Sequence, residues 1–259
     1  MKPVCLIIGA GAGIGGHVGK RFARDGYHII LSRRSDASGL ENLVKDIVQD
    51  GGSAEGRLLN IVDENAIENL IHDIEKNSGP IEVVVHNIGA QIGNRSLTDT
   101  SLKTFELGWR LSCFSLFRLA YTVLPLMAQR GKGALLVTSS TAAQRGNAGQ
   151  HSHAAAMGGR RMLCQSLNAE FASQNIHVAH IVIDGAVDAP DTLGKMLGPE
   201  AFEKLRKDKG SEDGLMLPEH IADTYFHIAQ QHRSVWTHEL DLRSFSDEAW
   251  WNHAVNIEF

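Results

Sequence analysis

The sequence predicts an α/β protein built on a mainly parallel sheet with helices on both faces. Three observations carry that expectation: short, near-continuous apolar runs, amphipathic stretches of helical period between them, and a cluster of glycines directly after the first run. Strands buried on both faces lose the apolar/polar alternation of half-exposed strands, and the crossover between parallel neighbours needs a helix. The pattern continues along most of the 259 residues, so residues 1–259 are expected to form a single domain.

Strands are expected near 4–8 (VCLII), 28–32 (HIILS), 54–59, 81–86 (IEVVVH), 134–139 (ALLVTS) and 176–183 (IHVAHIVI). Helices are expected near 15–25, 39–50, 64–78, 101–129, 149–173 and 219–231. Ligands bind parallel sheets beyond the strand C-termini, which directs attention to the loops after the first, fourth, fifth and sixth strands. Residues 185–218 are the one irregular section and read either as a partly helical flap over a substrate or as a solvated connection. Residues 235–259 read as a short edge strand followed by a polar tail. Trp236, Trp250 and Trp251 would anchor it, in the monomer's own core or across a subunit boundary.

Composition narrows the function classes. Hydrophobic residues make up 43% and charged residues 21%, and the formal net charge of −5 offers no bulk attraction to phosphate polymers, so no nucleic-acid partner is expected. No run reaches 18 apolar residues, and the glycines within the first 16 residues suit a core strand better than a secretory segment; no membrane partner is expected. Cys5, Cys113 and Cys164 are widely spaced among apolar neighbours, which suits buried thiols and a reducing, cytoplasmic setting. His151 and His153 fall on different faces of a helix and no carboxylate or cysteine completes a ligand set, so no metal is expected.

The turn after the first strand reads GAGAGIGG, with Gly9, Gly11, Gly13, Gly15 and Gly16, and a GxGxxG match at 11–16. Glycines allow a tight turn and a close backbone approach to a pyrophosphate, and the following helix offers unpaired N–H groups and a favourable dipole. Gly9, Gly13, Ile14 and Gly15 are therefore candidate cofactor contacts. The second strand ends in LSRR. An acidic residue there would bind an adenosine ribose diol, whereas an arginine accepts a 2′-phosphate, so Arg33, with Arg34 beside it, points to NADP(H) in preference to NAD(H).

The spacing Gly9-xxx-Gly13-x-Gly15, HNIG at 86–89, SS at 139–140, YTVLPLM at 121–127 and SLNAEF at 166–171 together resemble the short-chain dehydrogenase/reductase family over nearly the whole chain. The resemblance implies a Rossmann-type three-layer domain with a seven-stranded sheet. It also implies homodimers or homotetramers packed through the long helices after strands four and five, and hydride exchange with a small ketone or alcohol. Asn87 and Gly89 match the family's NNAG segment, and Asn60 stands where an acidic residue usually meets the adenine. At the nicotinamide end Gly185 is kept, while Asp184 and Ala189 replace a proline and a threonine. Asp184 is expected to orient a basic substrate group, to pair with Arg145 or Arg160, or simply to cap its loop.

The catalytic group implied by the resemblance departs further. Ser140 matches the family serine, but His153 and Met157 stand in place of the tyrosine and lysine, and Ser112 in place of the asparagine. A thioether is only a weak acceptor and supplies neither a cation nor a proton. Imidazole, with a reference pKa near 6.5, can pass a proton to a developing alkoxide, so His153 either takes over acid/base work beside Ser140 or merely lines a pocket. Two functions follow: an oxidoreductase with altered or weak catalysis, or a non-catalytic sensor or assembly protein that binds the nucleotide.

Overall fold

The first strand, β1 (Val4–Ile8), is buried along its whole length, and its alternating side chains feed two cores. Val4, Leu6 and Ile8 join one apolar cluster and Cys5 and Ile7 the other. The computed structural model describes residues 2–89 and 94–251. After β1 come α1 (Ile14–Arg24), β2 (His28–Arg33), α2 (Ala37–Gln49), β3 (Ser53–Leu58), α3 (Ala66–Asn77) and β4 (Ile81–His86). The second half brings α4 (Leu102–Trp109), α5 (Ser115–Arg130), β5 (Gly133–Ser140), α6 (His151–Phe171) and β6 (Ile176–Ile183). It ends with α7 (Lys195–Leu197), α8 (Pro199–Gly210), α9 (Pro218–Ala229) and β7 (Glu239–Leu242).

All seven strands are parallel, in the order β3-β2-β1-β4-β5-β6-β7. The chain is a single-domain Rossmann-type α/β fold. One face of the sheet is covered by α1, α2 and α9 through Val18, Phe22, Leu40, Ile47, Ile221 and Tyr225. The other is covered by α3, α5 and α6 through Ile71, Leu116, Val123, Met127, Cys164 and Leu167. Strand order reverses between β1 and β4, so the loops leaving their C-terminal ends diverge and open a crevice there. Residues 90–93 of the loop after β4 lie outside the described residues.

Most expected elements are present with ends within two residues of those expected, and three strands match at both ends. The expected helix at 101–129 is continuous in direction but broken in pitch: Arg110–Phe114 form a π-helical turn between α4 and α5. Ser115 Oγ donates to the Leu111 carbonyl there, giving that acceptor a partner where the helical ladder loosens. Leu102–Arg130 as a whole is long and apolar enough to cross a membrane, yet Leu116, Leu119, Val123 and Met127 of this stretch pack on the sheet as core. Residues 185–218 are partly helical, with a π-helical turn at Pro190–Gly194 ahead of α7 and α8. At the far edge Trp236 stacks on His177 with centroids 4.8 Å apart, and Trp250 meets Trp251 edge to face. Tail residues 252–259 lie outside the described residues. Cys5 and Cys164 are buried, Cys113 is half-buried, and all three are free.

Two strand histidines are fully buried and neutral. His86 Nε2 meets Ser115 Oγ at 2.9 Å, and since that hydroxyl donates to Leu111, the imidazole is the donor. Burial, helped by the nearby Arg160 charge, holds His86 well below the ordinary imidazole range. Burial also pushes His180 down to about 4, against the pull of the Glu239 carboxylate 3.0 Å away. Below about pH 6.5 the unfolded chain takes up a proton on each imidazole that the native state refuses. Stability is therefore lost as pH falls from that value, by about 1.4 kcal/mol per pH unit per group, His180's share ending near pH 4. Denaturant unfolding between pH 7 and 4.5 should give His86→Gln a shallower pH slope than the parent, by close to one proton; equal slopes would contradict the assignment.

Candidate active site

The crevice is built first by backbone. Gly9, at the exit of β1, has φ +97°, and a Cβ there would stand 2.4 Å from the Asn87 carbonyl oxygen. A Cβ on Gly15 would stand 2.5 Å from the Gly9 carbonyl oxygen. Only glycine allows β1, the start of α1 and the exit of β4 to converge this closely. The Asn87 side-chain amide donates to the Gly9 carbonyl at 2.9 Å, and its backbone N–H donates to Ile8 at 2.8 Å. Gly9 and Ala10 N–H both donate to the Ser32 carbonyl, tying the turn to β2.

Two adjoining cavities share Gly9, Gly11, Asn87, Ile88, Gly89 and Thr192. One, about 330 Å³, reaches Arg33, Arg34, Asn60 and Asp191. The other, about 250 Å³, reaches Gly13, Ile14, Gly15, Ser140, Met157 and Arg160. The cleft thus has a glycine cradle at its middle where a side chain would clash, arginines at one end and a serine hydroxyl at the other. Asn60 turns its amide to Asp63 Oδ1 at 2.7 Å.

At the second cavity, Ser140 Oγ lies 3.2 Å from His153 Nε2. His153 does not itself line the cavity and reaches it through Ser140. Met157 Sδ accepts weak hydrogen bonds from Ser112 Oγ at 3.9 Å and Ser139 Oγ at 3.8 Å. Ser112 is buried on the π-helical turn behind Met157. The structure therefore brings Ser140, His153, Met157 and Ser112 together. It does not bring Gly185 to the cavity wall: Gly185 faces Met216 and Asp247, and Val187, Ala189 and Thr192 form the wall on that side.

Asp184 overturns one expectation. It pairs with Arg243 at 2.8 Å and accepts from the Trp250 N–H at 3.2 Å, so the partner is neither Arg145 nor Arg160. Arg145 instead donates to the Trp250 carbonyl. The reason is topological: β7 lies beside β6, which sets Arg243 next to the end of β6.

Sequence reasoning missed two residues of the cleft. Arg160 is 1% exposed and donates to the backbone carbonyls of Thr138, Ile88 and Ser112. No carboxylate pairs with it among the described residues; burial lowers its pKa to about 10, leaving it charged at neutral pH. A signal was present, because Arg160 shares the buried face of α6 with Met157, Cys164 and Leu167 at helical spacing. Asp191, on the Pro190–Gly194 turn, accepts from Ala12 N–H at 3.2 Å and meets Arg33 at 3.4 Å. No local pattern announces a contact between residues 179 positions apart.

A family model described as short chain dehydrogenase matches residues 3–193. The chain belongs to that family. It is 29% identical to 7alpha-hydroxysteroid dehydrogenase of Escherichia coli (strain K12) over 200 residues, 77% of this chain and 76% of that one. Among solved structures, a short-chain dehydrogenase from Rhodopseudomonas palustris superposes with TM-score 0.77 at 29% identity, covering 93% of this chain and 98% of that one. A 7 alpha-hydroxysteroid dehydrogenase complexed with NADH and 7-oxo glycochenodeoxycholic acid superposes with TM-score 0.80 at 26% identity, covering 93% and 92%. The chain is thus an oxidoreductase-family protein with an NAD(P)-binding fold.

The Gly9–Asn87 approach predicts the cost of disturbing it. Gly9→Ala should destabilise the protein by about 1–3 kcal/mol, from the strained φ and the contact with the Asn87 carbonyl. Chemical denaturation measures this, and a loss below 0.5 kcal/mol, a threshold set by ordinary surface substitutions at about that size, would contradict the packing described.

Proposed function

We propose that the protein is an NAD(P)(H)-dependent oxidoreductase that interconverts a small ketone and its alcohol through an altered catalytic group, with NADP(H) favoured by Arg33. The observation that carries this reading is the 3.2 Å contact of Ser140 Oγ with His153 Nε2 at the end of a cleft lined by the glycine turn. A bound nicotinamide supplies or accepts the hydride. The chain's own part is to hold the dinucleotide along Gly9–Gly15, Asn60, Asn87 and Gly89, and to handle the proton. Ser140 donates to the substrate oxygen, and His153 in its imidazolium form replaces that proton from Nε2, returning to neutral imidazole until solvent reprotonates it, so reduction adds one hydride and one proton to the carbonyl. Arg160, charged and buried on the same cavity as Ser140, stabilises negative charge developing at the oxygen.

Met157 sets the limit of this chemistry. Its sulfur is occupied by two serine hydroxyls and supplies no cation to the cleft, which supports slow turnover. The same feature supports the second reading, a non-catalytic sensor or assembly protein that holds the nucleotide as a ligand. A homodimer or homotetramer is supported by the exposed apolar side chains of Phe105, Trp109, Phe117 and Tyr121 along α4 and α5. The three free thiols suit a cytoplasmic setting. Residues 185–218 then serve as a flap over the substrate.

Titration with NADPH, following thermal protection and nicotinamide fluorescence in the same samples, tests the cofactor half, because any ligand of the native state raises its stability. Protection with a fluorescence change is expected, followed by turnover on a panel of small ketones. His153→Ala should lower kcat by about 10²–10⁴ while leaving the NADPH protection intact. Protection without turnover favours the sensor reading, and no protection overturns both.

A further inference from the structure

The Pro190–Gly194 turn lays a carboxylate across the arginine end of the cleft. Asp191 Oδ2 accepts from the Ala12 N–H at 3.2 Å and lies 3.4 Å from Arg33 Nη2. Its Oδ1 lies 3.4 Å from Lys195 Nζ, and Arg33 also meets Asp36 at 3.1 Å. Burial pushes the Asp191 carboxyl up, but the Ala12 N–H, Lys195 and Arg33 outweigh it and hold the group below the ordinary carboxylate range. It is therefore an anion at neutral pH. Arg33 is accordingly neutralised twice over, once from its own loop by Asp36 and once from a segment 158 residues away.

The two donors that meet at Asp191 Oδ2 are of the kind a ribose 2′-phosphate uses: a backbone N–H of the glycine turn and the guanidinium at the end of β2. A phosphate arriving there must displace the carboxylate or bear its repulsion. A ribose 2′-hydroxyl, by contrast, can donate to it. We propose that Asp191 is a specificity-determining residue of the nucleotide site, set against Arg33, which disfavours NADP(H) relative to NAD(H) by holding a carboxylate where the 2′-phosphate would sit. The inference rests on the nucleotide reading above. It moves part of cofactor choice from the end of β2 to the segment after β6, so the net preference is a balance between Arg33 and Asp191.

The test is the ratio of NADPH to NADH affinity in the full-length parent and in Asp191→Asn, which keeps shape and removes charge. Thermal protection and nicotinamide fluorescence give both constants. A shift of the ratio toward NADPH by roughly 2–5-fold is expected, a range set by the strength of partly exposed charge pairs. The shift should shrink at high salt. Asp191→Ala, should the amide rebuild the same hydrogen bonds, should move the ratio in the same direction. A ratio unchanged in both variants, or moved toward NADH, overturns the inference while leaving the nucleotide reading in place. No binding of either dinucleotide to parent or variants overturns the nucleotide reading and the inference together.

Discussion

The contact on which the rest depends is the crossing of backbone at Gly9 and Asn87. β1 is the strand where the sheet order reverses, so its exit must turn toward α1 while β4 exits beside it. With no Cβ at Gly9 the two exits touch, and the Asn87 amide then fastens them at 2.9 Å. From that point Ser32 is drawn in by the Gly9 and Ala10 N–H groups, which places Arg33 at one end of the cleft. β5, paired to β4, places Ser140 at the other. One close approach thus sets the length and the chemical polarity of the site.

Behind the cleft, polar groups are handled without counter-charges. Arg160 satisfies three strand-end and turn carbonyls, which tie β4, β5 and the π-helical turn to α6. Met157 receives the hydroxyls of Ser112 and Ser139, giving both donors an acceptor. The outcome is a floor of buried side chains with the Arg160 cation on the lining of the second cavity. In the proposed chemistry, proton transfer falls to the Ser140–His153 pair, which meets the cavity at Ser140. Chemistry carried by imidazole and serine at that position differs in pH dependence from chemistry carried by a phenol.

Much of this was legible in the sequence because short-range physics carried it. Val4–Ile8 and Ile81–His86 announce themselves by largely apolar character, the cradle by its glycines, Ser140 by its place after the fifth strand, and the register of His153 and Met157 by SLNAEF within α6. What escaped depends on contacts between distant segments or on irregular pitch. The π-helical turn at Arg110–Phe114 leaves no trace in an apolar stretch that reads as one helix. Asp191 sits in a section without periodicity, and its partners lie at the opposite end of the chain. Asp184 takes Arg243 because β7 adds to the edge beside β6, a pairing that local pattern does not disclose. Arg160 was hidden for a different reason: charged residues are expected at the surface, and only its place on the apolar face of α6 betrays it.

The central claim is that the cleft opened by Gly9 and Asn87 supports hydride exchange through Ser140 and His153. Its most direct measurement is isotope transfer: nicotinamide cofactor deuterated on the transferred position of C4, incubated with the protein and a panel of small ketones, with the alcohols analysed by mass spectrometry. The account predicts one deuterium on the carbinol carbon of at least one product, delivered to a single face, and its loss in Ser140→Ala. Cofactor that binds, yet leaves every ketone unlabelled, would contradict it.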